Sequence, residues 1–190
     1  EQPISEDDAK GYFQGVGDQL KADSDNYDVF YAQLVSNSCY TPSLDDNIPY
    51  LMAAIDKAKA ATGQSKVILI AHSMGGLAVR RWWQTTSTAR VHRLITLGTP
   101  HQGTRLARLG FAPNVRQMRC GNAWLDALSR SEGAAQVDRM TCFFSTCDNI
   151  VLPATHATLA GADNRILSGT AHVHMVSNPQ PWAEALRQLS

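Results

Sequence analysis

Residues 70–76, I-A-H-S-M-G-G, place a serine between an apolar run and a pair of glycines. The apolar run Lys66 to Ala71 is typical of a strand that is buried on both faces of a parallel sheet. A serine at a strand-to-helix turn projects its hydroxyl clear of the backbone, and small residues at Ala71 and Gly75 let strand and helix approach closely. Ser73 is therefore the candidate nucleophile.

The residue after the serine adds a second chemical element. The backbone N–H of Met74 would start the helix and point toward negative charge that develops on a carbonyl oxygen beside Ser73. The pattern S-x-G is short, and it also occurs by chance in ordinary loops. The strand before it and the helix after it favour the nucleophile, with Met74 as one oxyanion donor.

A serine hydroxyl is a weak nucleophile, so this hypothesis requires a carboxylate and a histidine downstream, each at the end of a strand. Asp148 follows the apolar run T-C-F-F-S-T-C and falls in the loop beyond it. Asp138 and Asp163 precede strands, which would put them at the other end of the sheet. Asp148 is the candidate acid, and a simple loop or cap aspartate is its alternative role.

The candidate base is His172 in I-L-S-G-T-A-H-V-H-M, which also follows a predicted strand. His174 is its rival, but His172 is closer to the strand end. His72 and His101 are expected to line the site as hydrogen-bonding supports rather than to carry protons. The sequence therefore predicts a triad of serine, aspartate and histidine, in that chain order.

These residues need a parallel sheet whose strands end at one edge. Strands alternate with helices along the chain, without an internal repeat or a low-complexity segment. This alternation predicts an α/β fold with a mostly parallel sheet flanked by helices, in one domain over residues 1–190. The predicted strands are 27–34, 66–71, 91–97, 140–145 and 164–167, and the predicted helices include 5–22, 75–85 and 179–189.

A further helix is predicted to begin at Ser43 or Asn47 and to stop at Gly63. Asn47 is the better N-cap, because it leaves Pro49 in the first turn, where proline is tolerated. Residues 104–137 are interpreted as a short cap-like insertion. Its apolar side chains could line an acyl pocket, but packing on the core is favoured for most of them: Leu106, Leu109, Phe111, Met118, Trp124, Leu125 and Leu128.

Composition excludes several other classes. Seventeen Lys and Arg balance seventeen Asp and Glu, and neither sign forms a long block, so a nucleic-acid partner is not expected. No apolar stretch approaches the length of a transmembrane helix. Cys39, Cys120, Cys142 and Cys147 lack the spacing of a zinc site; thiols are favoured over disulfides, because Cys142 and Cys147 lie in an apolar strand pattern.

Four ordered motifs resemble the α/β-hydrolase superfamily, and within it small bacterial lipases and esterases of the triacylglycerol-lipase type. They are A-H-S-M-G-G, T-L-G-T-P-H-Q-G-T, C-D-N-I-V-L-P and G-A-D-N-R-I-L-S-G-T-A-H. The resemblance implies Ser73 as nucleophile, Asp148 as acid, His172 as base and the Met74 amide as an oxyanion donor. In this fold the other donor comes from a strand and loop before the first long helix, which residues 1–10 do not resemble, so we expect it upstream of this chain.

The resemblance implies hydrolysis of a small-molecule or lipid ester, with no metal or organic cofactor. An acyltransferase would share every residue named, and a non-catalytic binding module of the same fold is a further alternative. A peptidase or amidase would use the same triad. The resemblance is to bacterial proteins, and either a cytoplasmic or a secreted or cell-envelope location is compatible with it.

Overall fold

The computed structural model describes residues 11–13, 15, 17–18, 28–32, 43–86 and 90–187. These residues form a four-stranded, all-parallel sheet in which the strands lie side by side in chain order. The strands are β1 (Val67–His72), β2 (Val91–Leu97), β3 (Met140–Phe144) and β4 (Asp163–Ile166). The predicted fold class is confirmed, and the four strands lie within a residue or two of their predicted positions.

Hydrogen bonds continue past the carboxyl ends of the strands and fix the loops that follow. Gly98 N–H donates to Phe143 O over 2.9 Å, and Leu167 N–H donates to Phe144 O over 2.7 Å. Since all four strands run the same way, the loops after β1, β3 and β4 leave the sheet at one edge.

Helices cover both faces of the sheet. In chain order they are α1 (Ile48–Thr62), α2 (Met74–Thr85), α3 (Pro113–Gln117), α4 (Ala123–Ser131), α5 (Ala134–Val137) and α6 (Pro179–Arg187). One core cluster packs α1, α2 and α4 against the sheet and contains Leu94; a second cluster packs α6 on the other face and contains Ile95. Successive residues of β2 thus enter different cores, as a strand buried on both faces requires.

The start of α1 differs from its prediction. A short 3-10 helix, Asp45–Asn47, precedes it, and the Asn47 side chain makes no capping bond to α1 but donates to Ser43 O over 3.2 Å. The Asn47 backbone is already helical, so its side chain does not face the free N–H groups of the first turn. Pro49 does lie in that turn, and Gly63 ends the helix in the left-handed conformation at φ 68°.

The predicted strand over residues 27–34 is wrong for residues 28–32, which form no regular element. Val29 is half-buried against the second core cluster. A run of aromatic and β-branched residues indicates packing on a sheet, which Val29 achieves without a paired backbone. The helix predicted over 5–22 is helical at the described residues 11–13, 15 and 17–18, and the remainder of both predictions lies outside the described residues.

Residues 104–137 connect β2 to β3 and divide into two parts. Leu125 and Leu128 are buried in the first core cluster, with Met118 and Trp124 half-buried beside them, as predicted for packing residues. The other three side chains of the predicted packing set, Leu106, Leu109 and Phe111, are exposed. Its interpretation as a cap-like insertion stays a prediction.

Three of the four cysteines lie among the described residues, and all three are free thiols. Cys142 is buried in β3, and burial raises the pKa of its thiol to about 11. Cys147 lies beyond β3 and is exposed, so its assignment to the buried strand was wrong. Cys39 lies outside the described residues.

Candidate active site

Ser73 occupies the turn between β1 and α2 in a strained conformation. Its φ of 54° and ψ of −130° make it the one non-glycine residue with positive φ among the described residues. Such a conformation costs on the order of 1 to 3 kcal/mol and persists where its surroundings fix it. The Ser73 N–H donates to Leu97 O over 2.8 Å, which anchors the turn to β2.

Close packing under this turn explains one of the two glycines. A Cβ on Gly76 would lie 2.1 Å from Thr99 Oγ1 and 2.7 Å from Thr99 Cγ2. A side chain at Gly76 would therefore push α2 away from the loop after β2. The close approach that the sequence pattern assigns to Gly75, one position earlier, stays a prediction.

The structure brings Ser73, His172 and Asp148 together. His172 Nε2 lies 2.9 Å from Ser73 Oγ, and His172 Nδ1 lies 2.9 Å and 3.0 Å from the two carboxylate oxygens of Asp148. Because the carboxylate accepts, Nδ1 carries a proton and Nε2 is free to accept the serine hydroxyl. The rival His174 is exposed, two residues beyond.

The Asp148 carboxylate is held in its charged form. Its side chain is about 1% exposed, and burial alone would raise its pKa. Hydrogen bonds from His172 and from the N–H groups of Ile150 and Val151, at 2.8 and 2.9 Å, outweigh burial, so the pKa of Asp148 lies below its ordinary value. A buried carboxylate that stays ionised can fix the ring orientation of His172.

A glycine at the end of β2 makes room for the imidazole. A Cβ on Gly98 would lie 3.0 Å from His172 Nδ1 and 3.0 Å from Met175 Sδ, and Gly98 has a φ of 55°. The ring reaches from the loop after β4 toward β1, so it passes above the end of β2. Sequence reasoning did not identify this position, although the glycine follows a predicted strand directly.

Met74 is the first residue of α2, so its N–H has no acceptor within the helix. Its side chain turns toward the segment between β2 and β3, where Asn114 Nδ2 lies 3.2 Å from the Met74 sulfur. The backbone N–H of Met74 follows Ser73 directly in the chain, at the positive end of the helix dipole.

The His72 ring packs against the His172 ring. The two ring centroids are 4.6 Å apart, and His72 Nε2 donates to His172 O over 3.0 Å. His72 Nδ1 therefore accepts, from the Tyr12 hydroxyl at 3.0 Å. Burial first, and then the neighbouring His172, lower the pKa of His72 to about 4, so this ring is neutral at ordinary pH.

His101 is buried, and both of its ring nitrogens are hydrogen-bonded to residues outside the candidate triad. It is 1% exposed; Arg80 donates to its Nδ1 over 3.1 Å, and its Nε2 donates to Thr96 Oγ1 over 3.0 Å. Burial, with the charge of Arg80, lowers its pKa well below the ordinary value. Arg80 in turn forms a fully buried ion pair with Glu132, with Nη2 2.5 Å from Oε2.

This buried ion pair was not predicted from the sequence. Its members are 52 residues apart; Arg80 lies in α2, and Glu132 directly follows α4. The one available signal was a pair of arginines within the otherwise apolar stretch L-A-V-R-R-W-W of α2, and neither the buried member nor its partner can be found from spacing alone.

A family profile described as a PGAP1-like alpha/beta domain matches residues 7–178. This chain belongs to the PGAP1-like α/β domain family. The resemblance to α/β-hydrolases of the lipase and esterase type is confirmed by this match together with the relatives described next.

Two curated relatives of this PGAP1-like domain are lipases by name. Lipase B of Pseudozyma antarctica is 32% identical over 115 residues, which cover 56% of this chain and 33% of that protein. A triacylglycerol lipase of Pseudarthrobacter phenanthrenivorans is 42% identical over 57 residues, which cover 30% of this chain and 18% of that protein. The chain thus spans a third or less of the length of these relatives.

Solved structures share the fold. The lipase B of Aspergillus fumigatus superposes with a TM-score of 0.71 at 23% identity, covering 94% of this chain and 48% of that one. Est1E of Butyrivibrio proteoclasticus, solved with ferulic acid, gives a TM-score of 0.62 at 15% identity, covering 94% and 83%. Within the described part of this PGAP1-like domain, none of the helices has both the length and the apolar character needed to cross a bilayer.

Proposed function

We propose that this chain is a serine carboxylic-ester hydrolase that acts through Ser73, His172 and Asp148. The observation that supports the proposal is the continuous chain of hydrogen bonds from Ser73 Oγ through the imidazole to a buried carboxylate, each about 2.9 Å long. The names of the relatives support ester lipids as the substrate class.

In the first half of the reaction, His172 Nε2 takes the proton from Ser73 Oγ as the oxygen attacks the ester carbonyl carbon. The imidazolium that forms is stabilised by the Asp148 carboxylate at Nδ1. Collapse of the tetrahedral intermediate breaks the bond to the alcohol oxygen, which leaves with the proton returned by His172. The acyl group is then esterified to Ser73.

In the second half, water replaces the alcohol. His172 removes a proton from water, the hydroxide attacks the acyl-enzyme, and the carboxylic acid leaves as Ser73 regains its proton. In both halves the N–H of Met74 donates to the developing oxyanion. One such donor is worth roughly 3 to 4 kcal/mol of transition-state stabilisation.

The decisive experiment compares nitrophenyl esters of increasing acyl length with matching nitroanilides. We expect ester turnover in the wild type and a loss of about 10⁴-fold or more in Ser73→Ala. Ser168→Ala, which removes an exposed hydroxyl from the loop before His172, is the matched control and should retain full activity. Anilide turnover equal to or better than ester turnover would contradict the esterase proposal.

Two further measurements separate the alternatives. A fluorophosphonate probe should label the wild type and not Ser73→Ala; an unlabelled wild type would favour a binding module. Adding an acceptor alcohol then tests acyl transfer. If ester product forms in place of free acid at low alcohol concentration, the chain is an acyltransferase.

A further inference from the structure

Residues 105–111 carry an exposed surface that the proposed reaction does not use. Leu109 and Phe111 are 78% and 77% exposed, the highest values among the large hydrophobic residues described, and Leu106 is 36% exposed. Scattered exposed apolar residues are ordinary, but three within six positions form a patch that requires an explanation. We call residues 105–111 the docking segment.

The local geometry places basic and apolar side chains in adjacent rows. Residues Arg105–Leu109 form a 3-10 helix, in which side chains three positions apart lie one above the other. Arg105 and Arg108 therefore form one row, and Leu106 and Leu109 form the next. The remaining residue of this helix, Ala107, is buried, so the two rows that flank it face outward.

The charge around the segment is strongly asymmetric. Residues 104–125 contain four arginines and no acidic residue, although the whole chain is neutral. Arg105, Arg108 and Arg116 are exposed and form no ion pair with any described residue. The fourth, Arg119, has a different role.

Arg119 holds the docking segment in shape. Its Nε donates to Ala107 O over 3.1 Å and its Nη2 to Gly110 O over 2.8 Å. Two carbonyls at the end of a short helix are thereby satisfied, so Leu109 and Phe111 are presented from an ordered loop. An exposed apolar loop that is already ordered loses less conformational entropy when it binds.

The segment is tied to the loop that carries the candidate acid. Arg105 N–H donates to Leu152 O over 2.9 Å, and Thr104 Oγ1 donates to Ile150 O over 2.7 Å. Ile150 and Leu152 are 39% and 37% exposed and extend the apolar surface toward Asp148. The docking segment therefore lies at the edge of the sheet where the candidate triad opens.

We propose that the docking segment binds the surface of an anionic phospholipid bilayer. Leucine and phenylalanine side chains enter the boundary between headgroups and acyl chains, and unpaired arginines contact lipid phosphates beside them. A purely electrostatic partner such as nucleic acid would leave Leu109 and Phe111 without a role. Since the proposal concerns binding, it is tested separately from ester hydrolysis.

The test is cosedimentation of the chain with vesicles of ether-linked lipids, which a carboxylesterase cannot hydrolyse. Vesicles of phosphatidylcholine alone are compared with equimolar phosphatidylcholine and phosphatidylglycerol. We expect tighter binding to the anionic vesicles, weakened about 30-fold by Arg105→Gln with Arg108→Gln. Leu109→Ser with Phe111→Ser should weaken binding to both vesicle types by about tenfold or more.

Matched controls remove the same number of positive charges and the same number of exposed apolar side chains elsewhere. Lys59→Gln with Lys66→Gln removes two positive charges at the end of α1 and before β1, and Tyr50→Ser with Met52→Ser removes two exposed apolar side chains from α1. Both controls should bind like the wild type. Circular dichroism verifies that every variant is folded.

Three results would overturn the proposal. These are equal wild-type binding to neutral and anionic vesicles, an equal loss in the Lys59 and Lys66 control, and failure of the wild type to bind vesicles at all. Displacement of bound vesicles by duplex DNA at equal phosphate concentration, with no effect of the Leu109 and Phe111 changes, would assign the surface to nucleic acid instead.

Discussion

Replacing His72 by glutamine is expected to make the stability of the chain less sensitive to acid. In the folded chain the pKa of His72 lies at about 4, against about 6.5 for an unfolded histidine. Below pH 6.5 the unfolded state binds a proton that the folded state does not bind. Folding is therefore destabilised as the pH falls from 6.5 toward 4, and the stability is fully present above 6.5.

The size of the effect follows from the two pKa values. At pH 5 the unfolded His72 is almost fully protonated and the folded one is almost fully neutral, so the wild type loses about 2 kcal/mol relative to pH 8. The glutamine amide can still donate to His172 O but does not titrate. His101 is also buried and neutral, and its contribution is common to both proteins, so it cancels in the comparison.

Urea unfolding at pH 8 and pH 5 measures the difference. With a slope of about 2 kcal/mol per molar urea, the wild-type midpoint should fall by about 1 M more than the midpoint of His72→Gln. His174→Gln, which removes an exposed histidine, serves as the control and should behave like the wild type. An equal fall in wild type and His72→Gln would refute the reasoning.

Three other substitutions test the remaining parts of the site. Asp148→Asn should lower kcat by about 10³-fold or more, because the amide favours the wrong tautomer of the histidine it contacts; steady-state kinetics measures this. Gly76→Ala should destabilise the chain by about 3 kcal/mol in urea unfolding, because the added Cβ overlaps the threonine beside it. Glu132→Gln should cost about 3 to 5 kcal/mol in the same assay, because it leaves Arg80 buried with an uncompensated charge.

The two stability changes each have a control variant in the chain. Gly133→Ala adds a Cβ with nothing within 4 Å and should be close to neutral, and Asp126→Asn removes an exposed carboxylate from α4. Asp148→Asn should retain the wild-type KM. If Gly76→Ala is as stable as Gly133→Ala, the packing argument at Gly76 is wrong; if Glu132→Gln is as stable as Asp126→Asn, the buried-charge argument at Glu132 is wrong.

The candidate site could be predicted because its chemistry follows strand ends. Ser73, Asp148 and His172 each come after a short apolar run, and parallel strands bring their carboxyl ends to one edge whatever the details of packing. The surroundings of the two supporting histidines, His72 and His101, could not be predicted from the sequence. His101 is buried against Arg80, which pairs with Glu132 from a distant segment, and the neutral state of His72 depends on its burial first and then on its contact with His172 across 100 residues.

Predictions based on local pattern alone were less accurate. The segment around Val29 has the composition of a strand, but pairing depends on which backbone lies beside it. Asn47 has the residue type of an N-cap, but the short 3-10 helix before α1 turns its side chain to Ser43. The hydrophobicity of Leu109 and Phe111 suggests core residues, but both side chains are exposed, on a short 3-10 helix and the loop after it, where Arg119 binds two carbonyl groups.

The parallel sheet also determines when the site can exist during folding. Ser73 and His172 are 99 residues apart, and the imidazole meets the hydroxyl only after β1 to β4 have paired in register. Contacts between such distant residues form slowly, since a long loop must close before they contribute any stability. Recovery of the Ser73 to His172 contact during refolding would therefore report completion of the whole sheet, and a partly folded chain would hold a serine without its base.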